Sequence, residues 1–269
     1  MRLETTYRPG VIPLPTEKAS VEHILDIRSW CDKLLSFRTT RSRSFRFQPG
    51  QFVRLGMKSD KGGVIWRPYS MVSADYDEYL EFFSILVPDG AFSDRLSRAA
   101  VGDEMYVEKS PYGYLTTSRF VGGEDLWLLA SGTGIAPFLS ILRDLAVWGQ
   151  YENIVLAYSV REARELAYQE EIVGLGSDEL FADAKARLQY VPIVTRESVP
   201  GMLDRRLTEL IRDGSLEQRV NLPLDQARAR LLLCGNPQML DDLRGILQER
   251  GLRPDRSREP GNFASENYW

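Results

Sequence analysis

Leu126-Trp127-Leu128-Leu129-Ala130-Ser131-Gly132-Thr133-Gly134-Ile135-Ala136-Pro137 is the stretch that decides the fold of this chain. The apolar run at its start reads as a buried strand. Its glycines permit a tight turn and close backbone approach to a dinucleotide. Pro137 suits the first turn of a helix, where its missing N–H costs little. A lone Gly-x-Gly carries little weight, but a strand before it and a helix after it raise that weight. Position 137 lacks the third glycine or alanine of the Rossmann fingerprint, which points to a different dinucleotide geometry.

The same grammar recurs around this unit. The strand at 126–130 leads into a helix over 138–148, 153–158 into 163–175, 188–194 into 204–213, and 231–234 into 238–250. Such repeats predict a parallel sheet wrapped by helices. Upstream, short strand-like runs at 21–27, 34–39, 51–55, 66–72, 80–87 and 104–108 are separated by Pro49-Gly50, Gly62-Gly63, Pro88-Asp89-Gly90 and Gly102-Asp103. That spacing predicts an antiparallel barrel, with one short helix opening at Ser93 as its capping residue. Gly122-Gly123 reads as a linker. The expected architecture is two-domain: an N-terminal arm over 1–17, a β-barrel over 18–118 and an α/β parallel-sheet domain over 119–269.

The 269 residues are 43% hydrophobic and 27% charged, with a net charge of −4. That balance is ordinary for a globular protein and offers no global attraction to nucleic acid or anionic membrane. Cys31 and Cys234 are the only cysteines, too few for an iron–sulfur cluster and not spaced as a CxxC pair. No metal site is expected. The single histidine, His23, lies in an alternating segment, so Ser–His and multi-histidine mechanisms lose support. The first twenty residues lack a leader pattern, and no apolar run reaches the roughly 20 residues that span a bilayer. The expectation is a reduced, cytoplasmic monomer.

Three further segments carry chemistry. In Arg67-Pro68-Tyr69-Ser70 the arginine offers a donor fork suited to pyrophosphate, and the tyrosine two residues on stacks or hydrogen-bonds to a ring; the plain alternative is an edge strand with a surface arginine. The downstream 81–93 segment, with a helix opening near Ser93, adds backbone N–H groups for a phosphate. In Leu232-Leu233-Cys234-Gly235-Asn236-Pro237 a buried strand ends where ligands of open α/β sheets bind. Cys234 there either faces a nicotinamide ring, without a covalent role, or is a small core thiol. Arg161, Arg196 and Arg206 follow strands where an acid would mark NAD, which favours NADP through its 2′-phosphate; surface arginines are common, so each also reads as a solvated charge. The closing Tyr268-Trp269 either stacks on a cofactor ring or packs into a groove.

Together these motifs resemble the ferredoxin–NADP reductase family, in the bacterial ferredoxin/flavodoxin branch whose chains end in tryptophan. The likeness runs from about residue 20 to 269 and rests on Arg67-Pro68-Tyr69-Ser70, Val87-Pro88-Asp89-Gly90, Ser131-Gly132-Thr133-Gly134, Cys234-Gly235-Asn236-Pro237-Gln238-Met239 and Tyr268-Trp269. The resemblance implies that the barrel holds FAD and the sheet domain NADP(H). Arg67, Pro68, Tyr69 and Ser70 then contact the flavin, ribityl and pyrophosphate, and Phe83, Ser84, Ile85 and Leu86 line the cofactor. Ala91, Phe92 and Ser93 meet the pyrophosphate, and Thr133 lies near the isoalloxazine. Val160, Arg161, Thr195, Arg196 and Arg206 take the 2′-phosphate end, and Trp269, next to Tyr268, stacks on the adenine. Ser70 and Cys234 are the catalytic positions.

The implied activity is electron transfer between NADP(H) and a ferredoxin or flavodoxin, by hydride transfer to flavin N5. Three departures stand out. The arm is extra, the glycine turn reads GTGIA where relatives read GTAIG, and Arg205 competes with Arg206 as a phosphate ligand. A basic run, Arg38, Arg41, Arg43 and Arg46, either steers an acidic carrier or is a solvated loop. Rival readings are a reductase component for an oxygenase, a free-flavin or quinone reductase, and a non-catalytic NADP(H)- or flavin-binding sensor.

Overall fold

The computed structural model describes residues 17–60, 62–176, 181, 184–256 and 259–267. The expected arm, residue 17 apart, lies outside them. Alternating residues build the first half. Strands β1 (Ala19–Cys31), β2 (Leu34–Thr40), β3 (Phe52–Lys58), β4 (Val64–Ser70), β5 (Tyr79–Ile85) and β6 (Glu104–Glu108) pair antiparallel in the order β4-β3-β6-β1-β2-β5. Ile24, Phe37, Leu55, Phe82 and Val107 turn inward and form the barrel core. The end strands of that order meet at a bridge between Met71 and Phe82. The sheet therefore curls shut there, while no ladder joins the rest of β4 to β5 among the described residues. Pro68 sits in β4, an edge strand, where a missing N–H is tolerated.

Helix α1 (Ala91–Ser97) opens two residues before the expected cap. Ser93 lies inside it, and its hydroxyl accepts the Val87 N–H at 2.9 Å. The serine thus closes the Pro88-Asp89-Gly90 turn instead of capping a helix. A positive φ of 58° at Asp89 marks that turn.

In the second half β7 (Asp125–Ser131) leads into α2 (Ala136–Leu142) and α3 (Leu145–Gln150), and β8 (Asn153–Val160) into α4 (Gln169–Leu175). Then β9 (Arg187–Val194) leads into α5 (Leu207–Arg212) and α6 (Ser215–Val220), and β10 (Ala229–Cys234) into α7 (Pro237–Glu249) and β11 (Phe263–Glu266). Three expected helices are shorter than the periodicity suggested. The 138–148 segment breaks at Asp144, whose side chain accepts the Ala146 N–H and restarts the chain as α3. The 163–175 segment breaks at Tyr168, which is left-handed. The 204–213 helix begins at Leu207 because Arg206 is still extended.

All neighbouring strands of the second sheet run parallel, in the order β11-β10-β7-β8-β9. That order reverses direction between β7 and β10, so a crevice opens there at the strands' carboxyl ends. The central strands β7, β8 and β10 are buried on both faces, which explains their apolar runs. Leu126, Leu128 and Ala130 enter a core shared with Leu34, Val72 and Phe83 of the barrel half. Trp127 and Leu129 enter the opposite core, against residues of α5 and α7. No helix among the described residues is long and apolar enough to cross a membrane.

Candidate functional site

The splayed edges of β4 and β5 face the crevice between β7 and β10. Between them lies a cavity of about 360 Å³, within the usual size of a cofactor pocket. On the barrel side Arg67, Pro68, Tyr69, Ser70, Phe83, Ser84, Ile85, Phe92 and Ser93 line it, with Val87 and Gly90. On the sheet side Thr133, Gly134, Ala136, Cys234 and Gly235 line it. The walls are mostly apolar, with a few convergent polar groups, which is a donor set that suits a ring and a pyrophosphate.

The barrel wall is held by its own bonds. Tyr69 Oη lies 2.8 Å from Ser84 Oγ, tying β4 to β5 across the gap. Burial pushes the Tyr69 phenol up to about 12, with Ser84 and Arg67 pulling the other way. It therefore stays protonated. Arg67 is exposed, and Nη1 donates to the Trp66 carbonyl at 2.8 Å.

On the sheet side the two β–α turns interlock. A Cβ on Gly134 would stand 2.4 Å from the Cys234 carbonyl oxygen, and one on Gly235 would stand 2.2 Å from Ser131 Oγ. Gly235 also has a φ of +140°. Ser131 Oγ accepts the Asn236 N–H at 2.9 Å. The two glycine motifs are thus one object, each glycine making room for the other turn. Cys234 is 1% exposed, and burial first, then the nearby Glu266 carboxylate, drives its thiol far above its ordinary range. It is a neutral thiol.

Glu266 belongs to no motif, yet β11 places it in register beside Cys234. Its Oε1 accepts the Tyr114 N–H, so it also joins the last described strand to the barrel half. Gly113, with φ +96°, admits it: a Cβ there would lie 2.8 Å from Glu266 Oε2. An acid two residues before a terminal aromatic pair was the only available signal.

Other expected residues lie elsewhere. Leu86 is not on the cavity wall: it packs against the barrel core, while its neighbours Ile85 and Val87 line the cavity. Ala91 is exposed at the start of α1 and does not line the cavity either. Val160 is buried, and its carbonyl accepts both the N–H and the hydroxyl of Thr195, at 3.0 Å and 3.1 Å. The Arg196 N–H donates to the Arg161 carbonyl at 2.9 Å, so these two arginines adjoin at the strand ends. Arg161, Arg196 and Arg206 are exposed and form no ion pair among the described residues. Arg205 is engaged instead, with Asp213 at 2.5 Å and Ser215 at 2.7 Å. His23 lies on β1, Nδ1 3.2 Å from the Gly102 carbonyl, and does not line the cavity. Tyr268 and Trp269 fall outside the described residues.

The basic run is largely used within the barrel. Arg38 pairs with Glu81, Arg41 donates to the carbonyls of Phe45, Asp75 and Asp77, and Arg46 donates to those of Arg43 and Phe45.

Comparison with known proteins places these features in context. The oxidoreductase FAD-binding domain model matches residues 24–116, and the oxidoreductase NAD-binding domain model matches 128–245. The chain is 42% identical over 251 residues to a ferredoxin–NADP reductase of Azotobacter vinelandii, covering 92% of this chain and 96% of that protein. It is 41% identical over 249 residues to a ferredoxin–NADP reductase of Pseudomonas aeruginosa, covering 91% and 95%. A crystal structure of a ferredoxin NADP+ reductase from Neisseria gonorrhoeae, with bound FAD and NADP, superposes with a TM-score of 0.88 at 36% identity, covering 94% of this chain and 99% of that one.

Proposed function

The chain belongs to the ferredoxin–NADP reductase family, and from that premise we propose that its interdomain cavity joins NADP(H) to a ferredoxin or flavodoxin through FAD, with Ser70 and Cys234 flanking the place where the two rings meet. The observation that carries this reading is the cavity itself. One wall is the Arg67–Ser70 edge with β5, and the other is the interlocked pair of turns at the switch point. FAD, when bound, supplies N5 as the hydride acceptor and an exit for single electrons.

The chain's own residues bind and orient. Arg67 presents a guanidinium fork to pyrophosphate. Tyr69 remains a neutral donor at the cavity wall, and Ser84 fixes its hydroxyl. Phe83, Ile85 and Phe92 exclude water beside the ring, which strengthens every polar contact there. Ser93 holds the turn that approaches the phosphates, and Leu86 and Ala91 reach the cofactor only through their backbone. Thr133 and Gly134 form the opposing floor. Cys234, neutral and buried, packs beneath the nicotinamide and is no nucleophile. Arg161, Arg196 and Arg206, exposed and unpaired among the described residues, take the 2′-phosphate; Arg205 is occupied by Asp213 and is not a ligand. Val160 and Thr195 shape the strand ends that carry those arginines, and Tyr268 and Trp269 cover the adenine. The same reading carries a cytoplasmic monomer divided between residues 118 and 119.

The test is direct. Purified protein is expected to be yellow, and mixing with NADPH is expected to bleach the flavin rapidly. The reduced protein is then expected to reduce at least one member of a ferredoxin and flavodoxin panel. A colourless protein that gains no flavin on reconstitution, or a flavin that NADPH leaves oxidised, removes the proposal.

A further inference from the structure

Tyr168 has a left-handed backbone, with φ 61° and ψ 11°, a conformation that bulky residues rarely take. Such strain persists where surrounding contacts over-determine it. Its hydroxyl and the ring contacts of its side chain reach the barrel half. The Tyr168 hydroxyl donates to Glu81 Oε1 at 2.9 Å. Its ring meets Phe83 edge-on, with centroids 5.4 Å apart at 87°, and lies 4.6 Å from the Trp30 ring. Tyr168 itself is 1% exposed.

The receiving strand is a wall of the cavity. Along β5 the residues Glu81, Phe83 and Ile85 share one face, and Phe83 and Ile85 line the cavity. Glu81 is buried and is held from its own half by Arg38 at 3.2 Å. From the sheet half Arg143 donates to the Val72 carbonyl at 2.8 Å and approaches Glu81 at 3.5 Å. Tyr168, together with Arg143, thus grips β5 from the domain carrying Thr133 and Cys234. Burial and the Glu81 charge also drive its phenol well above the ordinary range, so the donor keeps its proton.

We infer that Tyr168 is a positioning residue for hydride transfer: its bond to Glu81 and its edge on Phe83 hold the flavin-facing wall of β5 in register with the nicotinamide-facing turns of the sheet domain. This rests on the proposed meeting of the two rings in the cavity. Reaction rate falls steeply with misplacement of the reacting atoms, so a loosened wall slows the reaction without weakening nucleotide binding at the distant arginines.

The test compares Tyr168→Phe with Tyr158→Phe in the FAD-loaded full chain. Tyr158 is an equally buried phenol whose hydroxyl donates to the Glu165 carbonyl at 3.2 Å, wholly within the sheet domain. Three quantities are measured: flavin reduction at saturating NADPH, affinity for 2′,5′-ADP, and hydrogen exchange in the 72–86 segment. Tyr168→Phe is expected to slow flavin reduction about ten-fold, to leave 2′,5′-ADP affinity unchanged, and to speed exchange in that segment. Tyr158→Phe is expected to change none of the three. Unchanged rate and exchange in Tyr168→Phe, or equal effects in both variants, overturns the inference and leaves Tyr168 as core packing. If NADPH fails to reduce even the parent protein, the functional reading falls instead, and the exchange comparison alone decides whether Tyr168 holds the wall.

Discussion

Ser140 Oγ donates to the Ser73 carbonyl oxygen across 2.7 Å, and both residues are wholly buried. Ser73 follows the Arg67-Pro68-Tyr69-Ser70 edge, and Ser140 stands in the helix that follows the glycine turn. The bond therefore bolts the barrel-side motif of the cavity to the glycine turn of the sheet domain. Removing the donor strands a buried carbonyl, which costs about 1–3 kcal/mol. Ser140→Ala is expected to lose about that much in urea unfolding, and an unchanged midpoint would show that the carbonyl finds another donor.

Gly134 faces the Cys234 backbone, where a Cβ would stand 2.4 Å from the carbonyl oxygen. Backbone cannot swing aside as a side-chain tip can, so overpacking of about 1–3 kcal/mol is expected. Gly134→Ala should lower the thermal midpoint and separate the two turns. Because those turns form one wall of the cavity, retained FAD per protein should fall as well. Gly132 is the internal control: a Cβ there meets nothing within 4 Å, although its φ of +54° adds local strain.

The arginines proposed to take the 2′-phosphate make a discriminating set. A charge-assisted hydrogen bond contributes about 1.5–3 kcal/mol, so Arg161→Ala and Arg196→Ala should each raise the NADPH KM about ten-fold or more. The NADH KM should barely move, because NADH lacks the 2′-phosphate. Arg206→Ala should behave like them, whereas Arg205→Ala should leave the ratio intact, its guanidinium being bound to Asp213 and Ser215. Steady-state kinetics with both coenzymes decides between the two neighbours.

Tyr69 links the cavity to alkaline stability. Its phenol is pushed from 10.0 up to about 12, chiefly by burial. The folded state therefore holds this proton more tightly than the unfolded chain. Its contribution to stability is complete below about pH 10 and is lost as pH rises toward about 12. Unfolding free energy should be level near neutrality and fall above about pH 10, and Tyr69→Phe should fall less steeply. Identical slopes would mean that Tyr69 ionises like an exposed phenol.

Cys234 should resist alkylation in the native protein, because burial and the neighbouring Glu266 carboxylate keep the thiol protonated. Iodoacetamide at about pH 8 is expected to label it only after denaturation. Fast native labelling would place it in solvent and remove it from its proposed place beneath the nicotinamide.

Much of this was legible along the chain because it is written in short-range patterns. Alternation over five to seven residues specifies a barrel strand. An unbroken apolar run followed by Gly-x-Gly and Pro137 specifies a buried parallel strand entering a helix. Helix ends were less legible, since single side chains such as Asp144, and a left-handed residue such as Tyr168, override periodicity. Arg67, Tyr69, Thr133 and Cys234, singled out from local motifs, come together on the cavity wall. Leu86, singled out with them, packs against the barrel core instead.

What the sequence determined by itself is therefore the two halves and the two glycine turns, because backbone geometry and burial on one or both faces depend on neighbours a few positions away. How the halves meet depends on contacts between elements far apart in the chain. Met71 closes the barrel on Phe82, Glu266 comes to rest beside Cys234, Arg205 is taken by Asp213, and Tyr168 reaches Glu81 across 87 positions of chain. Each of those pairings is selected by packing between elements, and packing partners leave no imprint on the spacing of either residue's neighbours.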